Sequence, residues 1–275
     1  MRSKMMGLLL VFTLTACTTS TNTPAPQPTS ASTPAVVEAT LAPVGTQAPI
    51  ATVTAAPPTI THPPAPTATP AATPTPDPNE GVGDVVYADP LDGTGGWYWT
   101  FVDEAVNFGV SLEQKQLNAV AKQSNTWRYT ISNDTVNVGD QQLRVNVHTN
   151  VCADNDEYAV LFRGTVDTEN NYSFYALKLR CNGAVRLELL RGVNATVLVD
   201  WTPTPALRPG AGADNTLIVW AAKDQFRVYL NDQYIFSAQE ATLSAGFYGF
   251  YLYDRTNANL SVSWKGLEVR AVKLP

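Results

Sequence analysis

Across residues 143–269 apolar side chains return at every second position, a spacing that extended backbone turns into one buried face. Leu143, Val145 and Val147 alternate with Arg144, Asn146 and His148, the pattern of a half-buried strand. Tyr158, Val160 and Phe162 share a face of the next strand. In the one after, Tyr175, Leu177 and Leu179 oppose Tyr172, Phe174 and Ala176. Further strands are predicted at 185–190, 196–201, 216–222, 226–230, 234–237, 247–253 and 261–269. Asn231-Asp232 between two such runs predicts a tight hairpin, since both residues tolerate positive φ. No long amphipathic helix interrupts the series, which points to an all-β antiparallel chain of two packed sheets.

The alternation stops N-terminal to Asn79, where composition changes sharply. Of the 20 prolines, 15 fall within residues 24–78, among Thr and Ala, with no aromatic residue and only Glu38 and Asp77 charged. Such a stretch cannot bury enough apolar surface to offset the entropy of ordering it, so it reads as a disordered tether. Its reach lies between about 50 Å as a flexible coil and about 190 Å fully extended. The Thr density also suits O-glycosylation, which composition leaves open.

Ahead of the tether, Arg2 and Lys4 precede an apolar run from Met5 to Leu14, then Thr15, Ala16 and Cys17. As a helix that run rises about 15 Å, half of the roughly 30 Å of hydrocarbon a spanning helix must cross, so it reads as a secretory signal. Leu14-Thr15-Ala16-Cys17 resembles the lipobox of bacterial lipoproteins. The resemblance implies a signal peptide at 1–16 and lipidation of Cys17; with the Pro/Thr/Ala-rich linker over 17–79, it places the globular domain read from composition and alternation over 80–275 on the extracytoplasmic side of a bacterial membrane. In that domain 16 Lys and Arg stand against 22 Asp and Glu, without a basic cluster, which argues against a nucleic-acid partner.

With Cys17 set aside, Cys152 and Cys181 remain, a number that suits a disulfide in an oxidising compartment. If strands 143–151, 158–166 and 172–180 form two successive hairpins, both cysteines arrive at one end of the sheet. The bond then closes a loop of about 30 residues and contributes roughly 3–4 kcal/mol by the chain-entropy estimate. Two unpaired buried thiols are the other reading.

Leu161-Phe162-Arg163, Asp167 and Asn170-Asn171-Tyr172-Ser173-Phe174-Tyr175, followed by Val228-Tyr229-Leu230-Asn231 and Gly246-Phe247-Tyr248-Gly249-Phe250, resemble the concanavalin A-like lectin/glucanase (laminin G-like) modules. The opening Tyr87-Ala88-Asp89-Pro90-Leu91 with Trp97 fits the start of such modules, though Leu91 replaces the usual Phe. The resemblance covers nearly all of residues 84–272 and implies a jelly-roll sandwich; its motifs are mostly turn and core residues, which speak to fold more than to function.

Some relatives hydrolyse glycosides with a Glu-x-Asp-x-x-Glu run that flanks one sugar bond. This chain has no such run, and its two histidines, His62 and His148, form no nucleophilic constellation, so enzymatic activity is not expected. The acidic turns with Asp154, Asp156 and Asp167 leave two readings open: hard-oxygen ligands for calcium, or plain turn chemistry. No other cofactor is implied. Aromatic side chains remain, because sugar C–H faces pack on exposed rings. Phe247, Tyr251 and Tyr253 lie on one face of their strand and Tyr248, Phe250 and Leu252 on the other, so one row must be core. Trp97, Trp99 and Tyr253 are the expected exposed contacts of a non-catalytic module for carbohydrate or glycoconjugate. A protein-interaction or structural module without a sugar site is the alternative, and a glycoside-processing hydrolase a third reading.

Overall fold

The computed structural model describes residues 74–98, 102–103, 108–122, 125–133 and 138–274. The expected signal segment, the expected lipidation site Cys17, the expected tether as far as residue 73 and Trp99 lie outside the described residues. Sixteen strands and no helix occur among the described residues. They are β1 (Val82–Asp89), β2 (Trp97–Tyr98), β3 (Val102–Asp103), β4 (Phe108–Glu113), β5 (Gln116–Ala121), β6 (Thr126–Ser132), β7 (Gln141–Val151) and β8 (Glu157–Val166). After these come β9 (Tyr172–Arg180), β10 (Ala184–Arg191), β11 (Asn194–Pro203), β12 (Ala213–Ala222), β13 (Gln225–Leu230), β14 (Gln233–Gln239), β15 (Phe247–Asp254) and β16 (Ser261–Val272).

The strands form two antiparallel sheets. A nine-stranded sheet runs β14-β13-β12-β7-β16-β5-β4-β3, with β1 also paired to β16, and a seven-stranded sheet runs β11-β10-β9-β8-β15-β6-β2. Alternation sets what lies between them. Leu143, Val145 and Val147 of β7 and Leu217, Val219 and Ala221 of β12 meet Tyr158, Val160 and Phe162 of β8 and Tyr175, Leu177 and Leu179 of β9 in one core. Phe250 stacks on Trp264 at 4.5 Å and on Trp97 at 5.2 Å, ring centre to ring centre, joining both sheets. At the tight hairpin between β13 and β14, Asn231 and Asp232 both take positive φ, 50° and 63°, as the two-residue loop requires.

One expected pairing is corrected. Strands β7 and β8 do not form a hairpin: β7 pairs with β12 and β16, and β8 pairs with β9 and β15 in the opposite sheet. The segment carrying Cys152 is therefore a crossover between layers. Cys181 lies in the turn joining β9 to β10, and the two cysteines are disulfide-bonded with Cα atoms 5.4 Å apart. The bond pins the crossover to a hairpin of the seven-stranded sheet.

The N-terminal end of the described chain packs on the outer face of the nine-stranded sheet. Tyr229 Oη donates to the Pro76 carbonyl at 3.2 Å, Gln142 Nε2 to Pro78 at 2.6 Å and Trp220 Nε1 to Glu80 at 2.8 Å. Proline-rich backbone leaves its carbonyls free, and side-chain donors on the outer face satisfy them.

Candidate functional site: an aromatic cleft

On the outer face of the seven-stranded sheet a second set of alternating residues points away from the core. Register brings them into rows: Trp127 of β6 opposite Tyr253 of β15, which is opposite Glu157 of β8. The next row carries Tyr129, Tyr251, Ala159 and Lys178. Ala159 and Ala176 keep the floor low while rings rise on both sides, and the β8–β9 and β10–β11 turns add Asn170, Asn171, Gly192 and Val193. The result is a cleft of about 460 Å³.

The rings are ordered by packing on one another. Trp127 stacks on Tyr129 at 5.9 Å and 11°, and Tyr129 meets Phe174 edge-on at 5.4 Å. Phe247 supports Phe174 from below at 5.5 Å. Burial pushes the hydroxyl pKa of Tyr251 up, helped by the negative charge of Glu157, and burial raises that of Tyr129 as well. Both phenols therefore stay protonated and able to donate at neutral pH.

Behind the aromatic lining lies an ion-pair network. Glu157, 1% exposed, accepts from Arg255 Nε at 2.8 Å and from Arg180 Nη2 at 3.0 Å, all on Oε1. Lys178 Nζ stands 3.9 Å from the other oxygen of Glu157 and 2.7 Å from Glu188, the latter a meeting of charges without the direction of a hydrogen bond. Arg186 Nε lies 2.9 Å from the second oxygen of Glu188. The Arg180 guanidinium covers Trp201 at 3.8 Å, Arg255 covers Tyr253 at 3.9 Å and Lys178 Nζ sits 4.9 Å from the Tyr251 ring centre. Buried charges are tolerable only when paired in this way.

Of the aromatic contacts expected from sequence, the cleft contains Tyr253, half-buried in its wall. Trp97 is corrected: it is 5% exposed, stacked in the core, and its indole N–H is given to the buried Asp89. Trp99 lies outside the described residues. Trp127, 41% exposed, is the large ring that sequence reasoning passed over. The available signal was the Tyr172-Phe174-Ala176 row: a strand apolar on both faces needs something beyond the core to cover its second face.

The three acidic candidates are not gathered. Asp154 and Asp156 precede β8 and Asp167 follows it, ten residues of strand away. Asp156 is fully buried and accepts from the Arg255 and Thr256 amides at 2.8 and 2.9 Å, from Thr256 Oγ1 at 3.0 Å and from the Ala153 amide at 3.3 Å. Asp167 caps its own turn by accepting from the backbone and side-chain amides of Asn171 and from the Glu169 amide, which hold its carboxyl below the ordinary value. Among the described residues no group of three or more His, Cys, Asp or Glu side chains is placed to hold a metal ion. His148 faces outward and meets Asp214 at 2.9 Å.

No protein-family model matches the chain. No curated protein matches it in sequence. Solved structures do share its architecture. A β-glucanase of Bacillus licheniformis aligns over 70% of this chain and 99% of its own, with TM-score 0.51 and 11% identity. The carbohydrate-binding module CBM66 from Bacillus subtilis aligns over 65% of this chain and 98% of its own, with TM-score 0.49 and 17% identity. A GlcNAcα1-4Gal-releasing endo-β-galactosidase from Clostridium perfringens covers 72% of this chain and 65% of its own, with TM-score 0.49 and 10% identity. At 11% identity the likeness to the β-glucanase is one of fold alone, and together with the two stacked antiparallel sheets it makes the domain a concanavalin A-like jelly-roll sandwich.

Proposed function

We propose that this chain is a lipid-anchored, non-catalytic module that binds carbohydrate in the aromatic cleft of its seven-stranded sheet. The observation that carries the reading is Trp127, a large ring left 41% exposed beside Tyr129 and Tyr253 in a cleft with polar groups at its rim. Sugar rings present C–H faces to such surfaces, and Asn170, Asn171 and the tyrosine hydroxyls reach hydroxyl groups. The fold is one on which a β-glucanase is built, which is consistent with a glycan ligand.

The carboxylates beneath the cleft favour binding over turnover. A glycosidase needs one carboxyl free to give a proton and a second free to act as base or nucleophile. Glu157 and Glu188 are instead engaged by Lys178, Arg180, Arg186 and Arg255. Residues 76–80 pack on the outer face of the opposite sheet, which leaves the cleft side clear of them.

A glycan array probed with the wild type and with Trp127→Ala tests the reading. Selective binding lost in the variant supports it; a folded wild type that binds no glycan moves the assignment to a protein-interaction module. Release of reducing sugar from any bound glycan shows catalysis instead. Metabolic labelling with a fatty acid tests the anchor, and label retained by Cys17→Ser overturns it.

A further inference from the structure

The chain carries a net charge of −6, yet the charged residues lining the cleft are two cations, Lys178 and Arg255. Glu157 and Glu188 lie behind them at 1% and 2% exposure and do not line the opening. Within the ion-paired set Lys178, Arg180, Arg186 and Arg255 meet Glu157, Glu188 and the exposed Asp200, four cations to three anions, while Asp156, Asp254 and Asp167 nearby accept backbone amides instead.

Arg255 has capacity to spare. Its Nε is given to Glu157 and its ring-facing side to Tyr253, while its two Nη groups make no hydrogen bond to the described residues. A guanidinium held by Nε with its outer nitrogens open presents a planar pair of donors that matches a carboxylate or a sulfate. Lys178 approaches the other oxygen of the same Glu157 carboxylate, so the two cations are gathered round one buried group. Trp127 lies across from Tyr253 in register, which sets an exposed ring beside the ring that Arg255 covers.

From this arrangement we infer that the ligand is an acidic carbohydrate, a sugar bearing a carboxylate or a sulfate ester, whose anionic group is taken by Arg255 and Lys178 while its ring packs on Trp127. The inference rests on the cleft being the sugar site and adds the class of sugar. Cations beside aromatic walls, Lys178 buried and Arg255 open to the cleft, select against neutral sugars, because a neutral ligand covers the Arg255 donors without answering their charge.

The test uses the full chain on an array of hexuronate, sialate and sulfated oligosaccharides beside neutral ones, followed by titration of the strongest binders. Each acidic binder is compared with its carboxyl-reduced or desulfated form, which distinguishes carboxylate from sulfate recognition. The expected result is that acidic members lead and that neutralising the ligand weakens binding by at least about tenfold, as expected for loss of a charge-assisted contact. Arg255→Gln should give a similar loss on the acidic ligand and little further loss on the neutralised one, whereas Arg144→Gln, on the other sheet, should change neither. Equal or tighter binding of the neutralised ligand overturns the inference and leaves the sugar site standing. A folded protein that binds no member overturns both. The comparison between ligands needs no substitution, so poor folding of Arg255→Gln leaves it decisive.

Discussion

Trp97 Nε1 donates to Asp89 Oδ2 at 2.9 Å, and both residues are buried, at 5% and 4% exposure. The same carboxylate accepts the Leu91 amide at 2.7 Å, so one acidic side chain ties the end of β1 to the indole that stacks in the core. Trp97 is a packing residue, whereas Trp127 is a ring with one face in water.

The two tryptophans should separate stability from binding. Trp97→Ala removes a buried ring and leaves Asp89 short of a donor, so urea denaturation should show a loss of about 3–5 kcal/mol. Trp127→Ala should cost about 1 kcal/mol or less, because much of its surface is already hydrated, yet abolish glycan binding. A large loss of stability in Trp127→Ala would make that ring a core element and remove the main support for the cleft.

Reducing the Cys152–Cys181 bond frees the crossover between sheets to sample many more unfolded conformations. Its partners are separated by 29 residues, which corresponds to about 3–4 kcal/mol in the chain-entropy model. Double replacement by Ala should lower the midpoint of denaturation accordingly, with little change in the cleft on the outer face. An unchanged midpoint would show that the crossover is already constrained without the bond.

Asp156 holds the crossover to the loop after β15 by accepting from Ala153, Arg255 and Thr256. Asp156→Ala should cost about 2–4 kcal/mol, since the part-buried amides of Arg255 and Thr256 and the Thr256 hydroxyl lose a fully buried acceptor. Because protein donors surround this carboxylate, millimolar calcium should leave the melting temperature of the wild type unchanged. A calcium-dependent rise, by linkage, would reveal a bound ion.

Alkali should unfold the domain through its tyrosines. Burial pushes the pKa of Tyr158, Tyr248 and Tyr251 above the ordinary value of 10.0. Above that value the unfolded chain releases these protons while the folded chain retains them, so the folded state binds more protons and stability falls as pH rises. Each such tyrosine contributes a slope of up to roughly 1.4 kcal/mol per pH unit. Stability measured in urea should be flat from neutral pH to about 9 and decline above about 10, with tyrosinate absorbance appearing together with unfolding. Full ionisation in the folded protein at pH 10 would contradict the burial of these rings.

Several features needed no tertiary context. Alternation at Leu143, Val145 and Val147 and at Tyr175, Leu177 and Leu179 identified strands because side chains in extended backbone must alternate faces. Asn231-Asp232 identified its hairpin because a two-residue loop demands positive φ at both positions. The cysteine pairing was anticipated, though from a hairpin of β7 with β8 that does not exist. Both routes bring Cys152 to the start of β8, next to the turn after β9, which is why an incorrect pairing led to the right bond.

What alternation could not decide was which face meets water. Along β15 both rows are aromatic: Tyr248 and Phe250 enter the core, while Phe247, Tyr251 and Tyr253 build the cleft. Periodicity is a local property and treats the two faces alike, whereas burial depends on which sheet stacks against which face. For the same reason Trp97 and Trp127 are alike in the sequence and opposite in the structure, one closed over by Phe250 and one open beside Tyr129. The sequence by itself determined an all-β chain, its turns and the partition of side chains between faces. The stacking of the sheets decided which partition became the core and which the cleft, while the β9-β8-β15 pairing within one sheet drew Lys178 and Arg255, 77 positions apart in the chain, round the same carboxylate of Glu157.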